Sequence, residues 1–359
     1  MAENGEGEQL SLPEGVGEVV EMDAEAVQEA LDKGDLVILD ENEVDREEGD
    51  EERQEMEGEA MEEGAVEVED MACAHFDAHE APVYSVALGK TEKNSSIVLT
   101  GGGDDKVILW DMKDESGCKI FDEFEESVNA VSFSSDGAYF AAGSLDGVVR
   151  VYDTEKRELV GSLDGPSGDV EWMQWHPKGP VLAAGYGDAT MWLWNAQKQQ
   201  CMNVFSGHDD SVSVGGFTAD GKSLVSGSLD ASVRVWDPKT GQCTHTIMGR
   251  TFHQRSIIAM HLYPDITQQL ALTGGEDAAV CVSHFGTGKI IGKLQHHKDS
   301  VTSVHFIAGQ PFASSGCVDG MVVVWDLNTM KARQVFNHEV CAITKHVRQI
   351  SVEVVSIIA

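Results

Sequence analysis

The feature that most limits what this chain can fold into is a spacing. An aromatic residue followed by Asp, or a near substitute, recurs as Trp110-Asp111, Tyr152-Asp153, Trp194-Asn195, Trp236-Asp237 and Trp325-Asp326, at intervals of 42, 42, 42 and 89 residues. A degenerate copy, Ser283-His284, divides the last interval into 47 and 42. Six residues before each pair stands an Asp: Asp104, Asp146, Asp188, Asp230, Asp277 and Asp319. Between Asp and aromatic the chain alternates, as in Asp230-Ala-Ser-Val-Arg-Val-Trp236, which signals a strand leaving a tight turn.

A second strand precedes each turn, over 97–101, 139–143, 181–185, 223–227, 270–274 and 312–316. Further back, His79, His208, His253 and His297 each stand four residues before an apolar residue that opens another strand. Each unit thus holds about four short strands and no helix. A period of ~40–45 residues with this content specifies an all-β WD40 β-propeller, in which each unit is one radial blade. Six blades are recognisable over residues 71–336, and Cys201 and Cys243, one repeat apart, should occupy equivalent strand positions.

Charge divides the chain. Residues 1–70 carry 28 Asp plus Glu against Lys33, Arg46 and Arg53, leaving a net −12 to the other 289 residues. So acidic a stretch cannot bury enough apolar surface to offset the entropy of ordering, and is expected to be a largely disordered arm. No run of ~20 apolar residues is present to span a bilayer. An odd number of cysteines, no Cys-x-x-Cys and no secretory leader favour the cytosol or nucleus.

In such blades a His, a hydroxyl on the second strand, the turn Asp and the Trp can join in one hydrogen-bonded chain that satisfies a buried carboxylate. Three units hold all four: His79, Thr100, Asp104 and Trp110; His208, Ser226, Asp230 and Trp236; His297, Ser315, Asp319 and Trp325. His, Ser and Asp are also the parts of a nucleophilic triad, but a catalytic set occurs once and converges on a pocket. This one recurs in phase with the fold, so it reads as structural and the chain as no enzyme. In the second and third units Ala142 and Ala184 replace the hydroxyl and the His is missing, leaving those blades to apolar packing. No cofactor is implied. His296 and His297 have no partner ligands at a useful spacing in the sequence, so no metal site is expected.

The phrase Glu171-Trp-Met-Gln-Trp-His-Pro177, with Gly101-Gly-Gly-Asp-Asp105 and the acidic leader, resembles the angio-associated migratory cell protein family over about residues 80–336. The resemblance implies eight blades and, from fungal relatives, a chaperone for a newly made large-subunit ribosomal protein. Only six anchors are visible here. Arg333 to His338 looks like an outer strand leading to a seventh blade, but 21 residues follow His338 where a blade takes 28 to 31 from its His to its Trp. The 337–359 tail, without turn Asp or Trp, is therefore expected to be an aberrant or partial blade of a truncated or alternatively spliced product, and a ring short of blades would leave unpaired edges.

The loops after each His place Glu80, Glu125, Glu126, Asp209, Asp210 and Asp299 at equivalent positions, with Asp169 one place along. Such a rim would steer a basic polypeptide, a ribosomal protein among them, and repel nucleic acid directly. The expected role is a non-catalytic protein-binding scaffold, monomeric and outside the membrane. The alternative is a cytosolic adaptor in signalling or migration; its ubiquitin-ligase subtype is disfavoured because Lys113, Lys239 and Asn328 replace the Arg usual two places after Trp-Asp. Trp172 and Trp175 read as packing between blades.

Overall fold

The computed structural model describes residues 78–89, 96–112, 118–166 and 168–337. The acidic arm expected over 1–70 and the partial blade expected after His338 lie outside these residues. Within them the chain forms six four-stranded antiparallel sheets, each a consecutive meander. Blade 1 comprises β1 (Val83–Leu88), β2 (Ile97–Gly102), β3 (Val107–Asp111) and β4 (Cys118–Phe121). Blade 2 comprises β5 (Val128–Phe133), β6 (Tyr139–Ser144), β7 (Val149–Asp153) and β8 (Glu158–Leu163); blade 3, β9 (Val170–Trp175), β10 (Val181–Tyr186), β11 (Thr190–Asn195) and β12 (Gln200–Ser206). Blade 4 comprises β13 (Val214–Phe217), β14 (Leu224–Gly227), β15 (Val233–Trp236) and β16 (Cys243–Ile247); blade 5, β17 (Ile257–Leu262), β18 (Leu270–Gly275), β19 (Ala279–His284) and β20 (Lys289–Gln295). Blade 6 comprises β21 (Val301–Phe306), β22 (Phe312–Cys317), β23 (Met321–Asp326) and β24 (Lys331–Asn337). The degenerate fifth unit is therefore a full blade. Cys201 and Cys243 do occupy equivalent places, each paired opposite its blade's anchor tryptophan.

The first strands of successive blades adjoin in chain order, β1 beside β5 and so on to β17 beside β21. What joins the blades is a repeated knob and socket. A strand-two glycine faces the opening residue of the next blade, and a Cβ there would stand 2.7 Å from Val128 at Gly101, 2.6 Å from Val170 at Gly143, and 2.7 Å from Val301 at Gly274. Val128, Val170, Val212, Ile257 and Val301 are accordingly fully buried. Their counterpart Val83 is 39 % exposed, since no blade precedes it among the described residues.

Polar side chains supplement these contacts across the blade boundaries. Ser85 Oγ accepts from Val131 N–H (3.1 Å), Gln174 Oε1 from Phe217 N–H (2.6 Å), and His261 Nδ1 from Phe306 N–H (3.0 Å). Such bonds leave no inner-strand amide of these positions buried without a partner. His261 also stacks on His305, at 4.8 Å between ring centres. Burial, reinforced by the neighbouring His305, pushes His261 down to about 4.

That depression has a signed consequence. The unfolded chain protonates this ring as pH falls through about 6.5, the folded chain only near 4, so the stability carried by the neutral ring is whole above pH ~6.5 and fades between those values. His261→Gln should keep the inter-blade bond, as Gln174 does in blade 3, while removing up to about 3 kcal/mol of acid-induced loss. Urea midpoints at pH 7 and pH 4 would measure it; equal acid losses in variant and parent would refute the assignment.

Candidate protein-interaction site

The six turns between second and third strands share one backbone shape. The residue after each turn Asp takes a left-handed conformation: Asp105 (φ 59°), Gly147 (84°), Ala189 (70°), Ala231 (65°), Ala278 (57°) and Gly320 (79°). Four of these are not glycine, and a side chain there costs on the order of 1–3 kcal/mol unless the surroundings over-determine it. The Asp supplies that determination. Its carboxylate accepts the N–H two residues on, at 2.8 Å for Val148 to Asp146, 3.0 Å for Thr190 to Asp188, 2.8 Å for Ser232 to Asp230 and 2.9 Å for Met321 to Asp319.

The same carboxylates reach across to the loop that opens the blade. Asp104 accepts from Glu80 N–H (3.1 Å), Asp230 from Asp209 N–H (3.1 Å), Asp277 from Gln254 N–H (3.2 Å) and Asp319 from Lys298 N–H (3.2 Å). Backbone bonds such as Leu145 N–H to Ser127 O and Gly187 N–H to Asp169 O join loop and turn in the blades without a His. Loop and turn are therefore one built unit at the same end of every blade.

Behind this surface, blades 1 and 4 hold the complete chain of four side chains. Trp110 Nε1–H donates to Thr100 Oγ1 (2.9 Å), which lies 2.7 Å from His79 Nε2, while His79 Nδ1 lies 2.8 Å from Asp104. A carboxylate can only accept, so the proton sits on Nδ1 and the hydroxyl donates to Nε2. Blade 4 repeats it with Trp236, Ser226, His208 and Asp230 at 2.9, 2.8 and 2.8 Å. Burial works against ionisation of Asp230, but donors from His208, Ser232 and the Asp209 amide outweigh it and hold the carboxyl well below its ordinary range.

Two blades depart from the sequence reading. Blade 5 builds the set without a tryptophan: His253 bridges Asp277 (2.8 Å) and Thr273 (2.9 Å), and Lys293 Nζ adds a bond to Asp277 (2.9 Å). Thr273 is in register with Thr100 and Ser226, a signal the degenerate anchor hid. Blade 6 assembles its set only in part, and this corrects the expectation for His297, Ser315, Asp319 and Trp325. Trp325 Nε1–H donates to Ser315 Oγ (2.7 Å), which is 2.6 Å from His297 Nε2, but His297 Nδ1 is buried without a partner. Beside that ring stands Cys317, where blade 4, with its His–Asp contact intact, carries Ser228. At the matching position of blades 1 and 5 stands Gly102 or Gly275, where a Cβ would fall 2.6 Å from the histidine Nδ1. In blade 6 a thiol stands at that position and donates to Asp299 O at 3.0 Å.

In blades 2 and 3, aromatic packing takes over. Tyr152 stacks on Phe140 at 4.9 Å and Trp192 on Trp194 at 5.9 Å, over the fully buried Ala142 and Ala184. Trp172 and Trp175 are both core residues between blades: Trp172 packs with Val212, Phe217 and Trp236 of blade 4, and Trp175 Nε1–H donates to Ser132 O of blade 2 (3.1 Å).

Glu80, Glu125, Glu126, Asp169, Asp209, Asp210 and Asp299 all lie exposed on the loops just described. Lys106 pairs with Glu80 at 3.4 Å, a solvated contact of small worth. Blade 5 interrupts the acidic series, offering Gln254 and the exposed Arg255 at its loop. Among the described residues no helix is long and apolar enough to cross a membrane.

The family described as WD domain, G-beta repeat matches residues 72–111, 118–153, 157–195, 199–237 and 288–326, more than half of the chain. The chain belongs to the WD-repeat family. The unmatched interval 238–287 holds the first three strands of blade 5, whose anchor lacks the aromatic. Within the WD-repeat proteins it is homologous to angio-associated migratory cell protein: 31 % identical to the human protein and 30 % to the dog protein, each over 293 residues. Those alignments cover 77 % of this chain and 65 % of the relatives, so the chain spans less than two thirds of their length. A guanine nucleotide-binding protein subunit beta of Zea mays is 36 % identical over 76 residues, 21 % of this chain and 20 % of its own. WD-repeat propellers are typically scaffolds that bind other proteins, and this chain is a WD-repeat protein.

Proposed function

We propose that the chain is a non-catalytic scaffold whose loop face takes a basic polypeptide, and that this polypeptide is a large-subunit ribosomal protein shielded in the cytosol before assembly. The observation that supports it is the seven exposed acids of the blade-opening loops, which turn carboxylates hold in blades 1, 4 and 6 and backbone bonds hold in blades 2 and 3. A preorganised negative surface accelerates encounter with a cationic partner and loses that advantage when counter-ions screen it. The resemblance to the chaperones of fungal relatives points to the ribosomal protein.

The test is binding of a purified basic ribosomal protein to the full chain across a salt series. Affinity should fall at least about tenfold between 50 and 300 mM salt, chiefly through slower association. Neutralising Asp209, Asp210 and Asp299 to Asn together should weaken binding and flatten that salt slope. Salt-insensitive association, or capture of signalling and migration factors with no basic ribosomal protein, would replace the reading with that of an adaptor.

A further inference from the structure

We propose that blade 6 carries a divalent-cation site of the zinc class, built from His297, Cys317 and Asp319. One ligand atom from each lies within 4.8 Å of the others. His297 is 8 % exposed and Cys317 fully buried, so two of the three donors are withheld from bulk water. The decisive observation is the imidazole. In blades 1, 4 and 5 the equivalent Nδ1 is satisfied by the turn carboxylate at 2.8 Å, whereas His297 Nδ1 is buried with no partner among the described residues. A buried polar atom left unmatched is costly, and three matched examples in the same fold show that the cost is not forced by the blade.

The donor set defines the ligand. One imidazole nitrogen, one thiol sulfur and one carboxylate oxygen suit a borderline-soft ion, and hard cations such as calcium or magnesium take oxygen ligands. Three protein ligands leave one tetrahedral position for water or a partner's side chain. The surroundings already position the ligands from behind. Ser315 Oγ, fixed by Trp325, accepts from Nε2–H when Nδ1 offers its lone pair, and Asp319 is held by the amides of Met321 (2.9 Å) and Lys298 (3.2 Å).

Binding closes a simple balance. A metal takes the thiolate form of Cys317 and the lone pair of a neutral His297 ring. The sulfur–metal bond forms as the S–H bond breaks and its proton passes to solvent; nothing is oxidised or reduced. Without the ion the thiol donates to Asp299 O at 3.0 Å, and that contact is given up when the sulfur turns toward the metal.

Cobalt(II) added to the metal-free full chain is the probe, because a thiolate ligand gives sulfur-to-cobalt charge-transfer absorption and a tetrahedral site gives intense visible bands. One equivalent should bind with both signatures and be displaced by zinc. Cys317→Ser should abolish the charge-transfer band and weaken binding by more than the 10- to 100-fold that loss of an outer-sphere partner costs. Serine stands at this position in Ser144 and Ser228, so the variant should fold. Cys317→Gly, which places in blade 6 the residue that blades 1 and 5 carry as Gly102 and Gly275, should also lose the band. The buried Cys281 supplies the control, and Cys281→Ser should keep the band. No charge-transfer absorption from the parent chain, or its survival in Cys317→Ser, overturns the site.

Discussion

Gly215→Ala is expected to cost at least about 3 kcal/mol of folding stability, an effect at the upper end for adding a single methyl group. A Cβ at Gly215 would lie 2.0 Å from the Trp172 ring, and one at Gly185, on the other side, 2.0 Å from its Nε1. The indole of blade 3 is therefore inserted between its own second strand and the first strand of blade 4, with glycine on both faces. It has no free end to swing aside, being 8 % exposed. At the position of Trp172 the other blades carry Ser85, Ala130, Val214, Ala259 and Ser303; at the position of Gly215 they carry Val86, Val131, Met173, Met260 and Val304. The usual small-then-large pairing across a blade boundary is inverted at this one.

A double-mutant cycle isolates the pair. Trp172→Ala alone should cost about 3–5 kcal/mol through the cavity it leaves. Combined with Gly215→Val, which restores the arrangement of the other boundaries, it should cost less than the sum of the two single changes, with a coupling of about 1–3 kcal/mol. Denaturant midpoints suffice to measure all three. Additive losses, or a Gly215→Ala change below about 1 kcal/mol, would mean that the indole moves freely and the reading of this boundary is mistaken.

The contrast between those residues shows what was legible before coordinates. Blade count and turn positions followed from the Asp-to-aromatic interval because a turn and the strand after it are local. Even the fifth blade, with Ser283-His284 for an anchor, could be found by phase alone. The knob-and-socket glycines were not legible in the same way. Gly185 and Gly215 are 30 residues apart and their shared partner is a side chain in another sheet, so nothing local marks them. Cys317 escaped for a related reason. Its distance from His297 in sequence matches no ligand spacing, yet strand pairing brings its sulfur within 4.8 Å of ligand atoms of both that histidine and Asp319. Blade 6 thus looked identical to blades 1 and 4 as a list of four residues and differs from them by a fifth.

Asp230→Ala should cost about 3–5 kcal/mol, whereas Asp188→Ala, the same change one blade earlier, should cost no more than about 1–2 kcal/mol. Removing Asp230 deprives the buried His208 Nδ1, the Asp209 amide and the Ser232 amide of their acceptor at once. Among the described residues Asp188 is bonded only to Thr190, through its amide and hydroxyl, at a solvated turn. Acid should reveal the same asymmetry. The Asp230 carboxyl is held below its ordinary value in the folded chain, so its contribution is whole above the unfolded value of 3.8 and declines as pH falls beneath it. The parent should therefore lose stability below pH 4 more steeply than Asp230→Ala, and Asp188→Ala should follow the parent. Equal costs for the two substitutions would mean that the turn alone matters and the His–Ser–Trp chain behind it adds nothing. A large difference in stability assigns the recurrent His, Ser and Asp to holding the loop of Asp209 and Asp210 rigid, which is what a preorganised binding rim requires of the fold beneath it.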